Sequence, residues 1–190
     1  MEIIGLLGNA GCGKNYIAEK ILPKILPNKN TVIIAFADHF KVDCIIKHGV
    51  DYNKVFGEKD FETRKMLQKV GTEEGRNVHG PDIWINSVAN WIKILGSRGV
   101  ERFIICDCRF KNEVEWIKKN NGTVIKINAP QRHKQRMLNE SKNNTEKLEH
   151  IQNHQSETEI DLCRYDFEIN NDYNQDVFKD LKLKLNLHEK

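Results

Sequence analysis

The chain reads as an α/β domain with a parallel five-stranded sheet flanked by helices, and three observations predict it. Short apolar runs rich in β-branched residues alternate with longer stretches of helical period. The apolar runs are mostly continuous, as expected of strands covered on both faces. A glycine-rich segment, Gly8-Asn9-Ala10-Gly11-Cys12-Gly13-Lys14, joins the first apolar run directly to the first helical stretch.

Each element can be read in turn. Ile3 to Leu7, Thr31 to Phe36, Phe103 to Cys106, Thr123 to Ile127 and Phe167 to Ile169 are the expected strands. Tyr16, Ile17, Ile21 and Ile25 begin one helix, Trp84, Val88, Trp91, Ile92 and Leu95 share the face of another, and Val114, Ile117 and Lys118 mark a third. Such alternation predicts right-handed crossovers within one sheet. The segment from about 43 to 83 is roughly 40 residues long where a bare crossover needs about a dozen, so it should fold as an insertion over the sheet edge. The stretch from Gln131 to Gln155 is polar with few apolar anchors, and is expected to be helical, poorly buried and mobile. Val177, Leu181 and Leu185 recur at helical spacing and predict a closing helix within Tyr173 to His188. Residues 1–190 are read as a single domain, a length that buries enough apolar surface to fold without disulfides or metals.

Composition narrows the function classes. With 39% hydrophobic residues and no run near the roughly 20 needed to cross a bilayer, a membrane protein is not expected. Basic and acidic residues, 30 against 27, are interspersed, which argues against a nucleic-acid surface. No cationic leader precedes the first strand, so a cytoplasmic, reducing environment is expected. The five cysteines lack paired spacing and are read as free thiols with no zinc site. Cys106 and Cys108 are expected on opposite faces of one strand, unable to share a ligand.

The glycine-rich segment fits G-x-x-x-x-G-K between strand and helix, where main-chain N–H groups and a helix N-terminus hold phosphates. Gly8, Gly11, Cys12, Gly13 and Lys14, with Asn15 and Tyr16 beyond them, are therefore the candidate ATP-binding residues, and Lys14 is also a candidate catalytic charge, a lysine expected to be solvated without ATP. Asn15 stands where the general pattern has Ser or Thr, and can reach magnesium through a metal-bound water. Asp107, ending the Phe103 to Cys106 run, is the candidate Mg²⁺ residue.

Further segments carry a resemblance. Asp107-Cys108-Arg109-Phe110-Lys111-Asn112-Glu113, Phe36-Ala37-Asp38-His39-Phe40-Lys41, Arg64-Lys65-Met66-Leu67-Gln68, Gly71-Thr72-Glu73-Glu74-Gly75-Arg76, Pro81-Asp82-Ile83-Trp84, His154-x-Ser156-Glu157 and Asn170-Asn171-Asp172 stand in order along the chain. They resemble the motifs of the phage-type deoxynucleoside monophosphate kinases, which commonly have Asp where this chain has the near-isosteric Asn15.

The resemblance implies a P-loop kinase fold with a core, a substrate-binding insertion at about 43–83 and a helical lid at about 131–155. It implies MgATP as donor and a deoxynucleoside monophosphate as acceptor, nucleotides rather than macromolecules as partners, and it leaves room for a homodimer. Asp38, Lys41, Arg64, Gln68, Arg76 and Arg109 would form the acceptor pocket, with surface ion pairing the alternative for each arginine. Asp38 would orient the acceptor or hold a metal-bound water. Trp84 would stack on a base or anchor its helix in the core. Arg132 and Arg136, on one helix face of the lid, would reach the donor phosphates on closure, the alternative being a solvated basic helix. Asn171 would lie near the adenine, or belong to an ordinary turn. Two other functions stay open: a kinase for phosphomevalonate or another phosphorylated metabolite, and a nucleotide-binding sensor acting through a partner. Against the sensor, the chain contains no guanine-reading N-K-x-D segment.

Overall fold

The structure, a computed structural model, describes residues 1–57, 59–141, 144–173 and 176–188. Positions 142–143 of the expected lid and 174–175 before the closing helix lie outside the described residues.

The five expected strands form one parallel sheet: β1 (Glu2–Leu7), β2 (Thr31–Ile34), β3 (Arg102–Cys108), β4 (Thr123–Asn128) and β5 (Phe167–Asn170), in the order β2-β3-β1-β4-β5. Alternate residues of the central strands feed two cores. Ile4, Leu6, Ile104, Ile125 and Ile127 pack with Ile17, Leu22 and Leu181 on one face. Ile3, Leu7, Phe103, Ile105 and Val124 pack with Val88, Ile92, Val114 and Ile117 on the other. Each such side chain contributes about 1.5–3 kcal/mol of burial, which is why continuous apolar runs were readable as strands.

The helices follow the expected periodicity. α1 occupies residues 14–25, as Lys14–Tyr16, a wider-wound Ile17–Ile21 and Leu22–Ile25. α2 is Asp38–His48, α3 Tyr52–Phe56, and α4 joins Phe61–Gln68, a π-wound Lys69–Arg76 and Asn77–His79. α5 is Ile83–Gly96, α6 Lys111–Lys119, α7 Pro130–Ser141 and α8 Thr145–Gln152. α9 is Gln155–Thr158, extended by a 3₁₀ turn, and α10 is Val177–His188. Val177, Leu181 and Leu185 are all buried, so the closing helix docks as its spacing predicts. Trp91 departs from expectation, being 47% exposed. The buried stripe of α5 centres on Val88 and Ile92, leaving Trp91 at its margin.

The segment between β2 and β3 is a helical layer with its own small core of Cys44, Val55, Leu67 and Val70. The polar stretch is better anchored than its composition suggested. Met137 on α7 is buried against Ala10, with Phe61 and Leu148 packed around the pair. No described helix is long and apolar enough to cross a membrane.

One local irregularity sets the site. A regular strand would put Cys106 and Cys108 on the same face, because residues two apart line one side. The β1–β3 ladder pairs Gly5 with Ile105 but Leu7 with Cys108, so β3 carries an extra residue there. Cys106 consequently joins one core and Cys108 the other. The bulge leaves Asp107 at the carboxyl edge, an instance of a bulge re-aiming a side chain beside a site.

Candidate active site

The glycine loop between β1 and α1 is shaped by its glycines and by what packs behind them. Gly13 has φ 92°, a left-handed backbone, and a Cβ there would overlap the Asn171 amide. Gly11, at φ 83°, is approached so closely by α7 that a Cβ would come within 2.7 Å of Arg136 Cδ. Lys14 is only 7% exposed, and its ammonium donates to Gly8 O and, at 2.9 Å, to Asn9 O. This corrects the expectation of a solvated lysine: the loop's own carbonyls satisfy the buried cation.

The loop faces a cavity of about 380 Å³, a size suited to small-molecule sites. Gly11, Gly13, Lys14 and Asn15 line it from the loop, Asp107 and Arg109 from the end of β3, and Arg136 from α7. Lys41, Arg64 and Gln68 line it from the insertion. Ten of the sequence-derived residues thus share one cavity at the carboxyl edge of the sheet, where open α/β folds bind ligands.

Others stand elsewhere, each for a visible reason. Arg76 pairs with the buried Glu113 at 2.6 Å, donates to Pro81 O at 2.9 Å and stacks on Phe110. It lines an adjoining cavity of about 450 Å³ rather than the main one. Glu113 also accepts from the N–H groups of Arg109 (2.8 Å) and Phe110 (3.1 Å) at the start of α6. Burial pushes its carboxyl up to about 7, with the Asp107 charge adding to the rise and Arg76 and the two N–H groups opposing it.

Trp84 does not face the cavity. Its indole N–H donates to Gly71 O at 2.8 Å and its ring packs beside Phe40, so the core alternative holds. Asp38 closes a local turn, accepting from Ala35 N at 2.8 Å, with Lys41 at 3.6 Å. Burial, and to a lesser degree Asp107, raises its carboxyl above the ordinary value despite Lys41. Arg132 stacks on Tyr173 at 4.6 Å and is absent from the cavity lining, although Arg136 one turn on is present. Asn171 is buried and donates to Cys12 O at 2.8 Å, bracing the glycine loop from behind. The next residue, Asp172, accepts from Gln131 N and Arg132 N and so caps α7. Gly8, Cys12 and Tyr16 belong to the loop and its helix without lining the cavity, Tyr16 being exposed.

For a metal, the candidate is again Asp107. Its two oxygens accept from Phe36 N (2.8 Å) and Ala37 N (2.9 Å), which fixes the carboxylate beside the cavity and leaves each oxygen a lone pair. No cluster of three metal-ligating side chains occurs among the described residues. A nucleotide-borne magnesium needs none, since it takes one or two carboxylates with phosphate oxygens and waters. The residues present fit such an ion.

Several lining residues were not singled out from sequence. Phe40, Thr72, His154 and Ser156 lie within the quoted motif segments, so a signal for them existed. Lys59 carried none. The most connected of the overlooked residues is Glu157, whose side chain is 2% exposed. It accepts from Ala10 N at 3.1 Å and Asn9 Nδ2 at 3.4 Å, binds Arg109 Nη1, and has Arg64 Nη1 at 3.8 Å. Burial alone would raise its carboxyl, but Arg109, the Ala10 N–H, Arg64 and Lys14 outweigh that and hold it at about 2.

Comparison with known proteins places this geometry. The sequence model of the family described as "Phosphomevalonate kinase" matches residues 6–123. A protein of Acanthamoeba polyphaga mimivirus, provisionally named a deoxynucleotide monophosphate kinase, is 29% identical over 150 residues, covering 68% of this chain and 75% of that protein. The crystal structure of TT1252 from Thermus thermophilus has the same fold, with a TM-score of 0.57 at 19% identity over 99% of this chain and 97% of that one. APE1195 gives 0.51 at 12% identity, over 99% and 94% of the two chains.

Proposed function

The chain belongs to the phosphomevalonate kinase family, small-molecule kinases of the P-loop type, and on that footing we propose that it transfers the γ-phosphoryl group of ATP to a deoxynucleoside 5′-monophosphate. Gln68 carries the reading. Both polar atoms of its carboxamide are buried, and neither has a hydrogen-bond partner. Leaving such a group unpaired costs about 1–3 kcal/mol, so its presence in a cavity wall calls for a ligand offering an acceptor and a donor side by side. The edge of a nucleobase does this. Phosphomevalonate, with carboxylate, hydroxyl and phosphate groups on a flexible chain, has no such planar edge. Phe40, Leu67 and Gly71 beside Gln68 supply an apolar slot for a ring. The deoxy sugar in this proposal rests on the motif resemblance and on the name of the mimivirus relative.

In this reading the loop N–H groups hold the donor phosphates, and Lys14 leaves the Gly8 and Asn9 carbonyls to meet them. Arg64 and Arg109 take the acceptor phosphate, with Lys41 and Lys59 adding positive charge, and Arg136 approaches from the lid. Asp107 and Asn15 would hold Mg²⁺, which when bound neutralises phosphate charge. An acceptor phosphate oxygen attacks the γ-phosphorus, the bond to the β–γ bridging oxygen breaks, and ADP leaves. The acceptor is already anionic, so no general base is required and Asp38 need not act as one.

The family match itself favours a second reading, phosphomevalonate as acceptor, for which the same cations would serve. Measuring ADP release with a panel of deoxynucleoside monophosphates, ribonucleoside monophosphates and phosphomevalonate decides between them. Turnover of deoxynucleotides with base selectivity is expected. Turnover confined to phosphomevalonate would overturn the nucleotide reading.

A further inference from the structure

Glu157 is the one described carboxylate that touches both the glycine loop and the cavity arginines. On the loop side it accepts from Ala10 N and Asn9 Nδ2, and its backbone carbonyl accepts again from Asn9 Nδ2 at 3.2 Å. On the cavity side it holds Arg109, with Arg64 close by. The side chains of Arg64 and Arg109 are 10% and 24% exposed, so two cations stand partly desolvated next to each other. One carboxylate between them offsets part of that charge. Its loop contacts lie at Asn9 and Ala10, and Ala10 lines the cavity together with Gly11, Gly13, Lys14 and Asn15.

We propose that Glu157 is a positioning residue, which ties the donor loop to the acceptor arginines so that the two phosphates meet in line. The inference rests on the kinase reading only in requiring an acceptor that bears a phosphate. In-line transfer is sensitive to register: a displacement of about 1 Å between reacting groups can cost about 10²-fold in rate. Each half of the site would survive loss of the tie, because the loop keeps its glycines, Lys14 and the Asn171 brace, while the arginines gain net positive charge for binding anions. The loss should therefore appear in kcat and spare both KM values.

The test is steady-state kinetics on Glu157→Gln, Glu157→Asp and Asn9→Ala with the best acceptor from the panel. For Glu157→Gln the expected result is a kcat lower by about 10–100-fold, with KM for ATP and for the acceptor each within about threefold of wild type. Glu157→Asp keeps the charge on a shorter arm and should recover part of the rate. Asn9→Ala cuts only the loop side and should show a smaller loss of the same kind. It decides the matter if the glutamine variant does not melt cooperatively. An unchanged kcat in folded variants, or a loss carried by either KM alone, would overturn the proposal. A wild type active only on phosphomevalonate would remove the nucleotide reading yet leave this test intact, whereas a wild type inactive on every phosphorylated acceptor would remove both.

Discussion

Replacing Gln68 with leucine separates what the side chain costs from what it provides. Both of its amide atoms are buried and unpaired. Leucine, of similar volume, removes the unmet donor and acceptor while keeping the apolar stem against Leu67 and its neighbours. Relief of the desolvation penalty is worth about 1–3 kcal/mol. At about 2–4 °C per kcal/mol for a domain of this size, the variant should melt about 2–12 °C higher. Activity should move the other way. Two neutral hydrogen bonds to a base edge contribute about 1–1.5 kcal/mol each, so kcat/KM for deoxynucleoside monophosphates should fall by about 30–150-fold, and discrimination among bases should narrow. Thermal melts without ligand and ADP-release kinetics on the acceptor panel measure the two effects independently. A variant that is no more stable than wild type and still discriminates among bases would refute the reasoning, because the carboxamide would then be neither strained nor used.

Lys14→Met should lower turnover by more than a factor of about 10, the equivalent of 1.4 kcal/mol of barrier, and should also lower the melting temperature, since the ammonium bridges two loop carbonyls. A variant keeping its rate, by ADP release, would remove Lys14 from the chemistry. Arg136→Ala should lower single-turnover rates by about 10²–10⁴-fold, whereas Arg132→Ala should cost less than about tenfold and act through the Tyr173 stack. Equal losses in the two would contradict the division of roles drawn from the cavity lining. Arg76→Ala leaves Glu113, already pushed up to about 7 by burial, to take up a proton, and should destabilise by about 1–3 kcal/mol with little change in acceptor KM for the folded fraction, read by denaturant melts and kinetics. Glu157 gives a pH signature: its folded carboxyl lies at about 2 against 4.5 ordinarily, so it contributes roughly 3 kcal/mol above about pH 4.5 that is lost as pH falls toward 2. Acid unfolding of Glu157→Gln should lack that component, and identical acid profiles would show that the carboxylate is not held by its partners.

Residues whose role depends on local pattern were legible in the chain. The strands were marked by continuous apolar runs, the docking of Val177, Leu181 and Leu185 by their spacing, and the phosphate loop by its glycines and its place between strand and helix. Arg64, Gln68 and Arg109 were recognisable through motif resemblance and Arg136 through its helical spacing after the fourth strand, and the structure brings them to one cavity with Lys14 and Asp107. The sequence could not assign partners. Arg76 and Arg109 carry the same guanidinium in similar motifs, yet one is taken up by Glu113, 37 residues away, and the other by Glu157, 48 residues away.

What the sequence by itself determined, then, was the set of elements and the chemical types at the sheet edge, because strand and helix periodicity and glycine conformation act over a few residues. Tertiary structure decided which cations face the cavity, which carboxylates hold them, and that Asn171 braces the loop. It also placed one extra residue in β3, so that Asp107 stands at the edge with Cys106 and Cys108 on opposite faces. Those outcomes turn on which distant groups are desolvated together, and a buried charge takes whatever partner the packing of remote segments brings within reach.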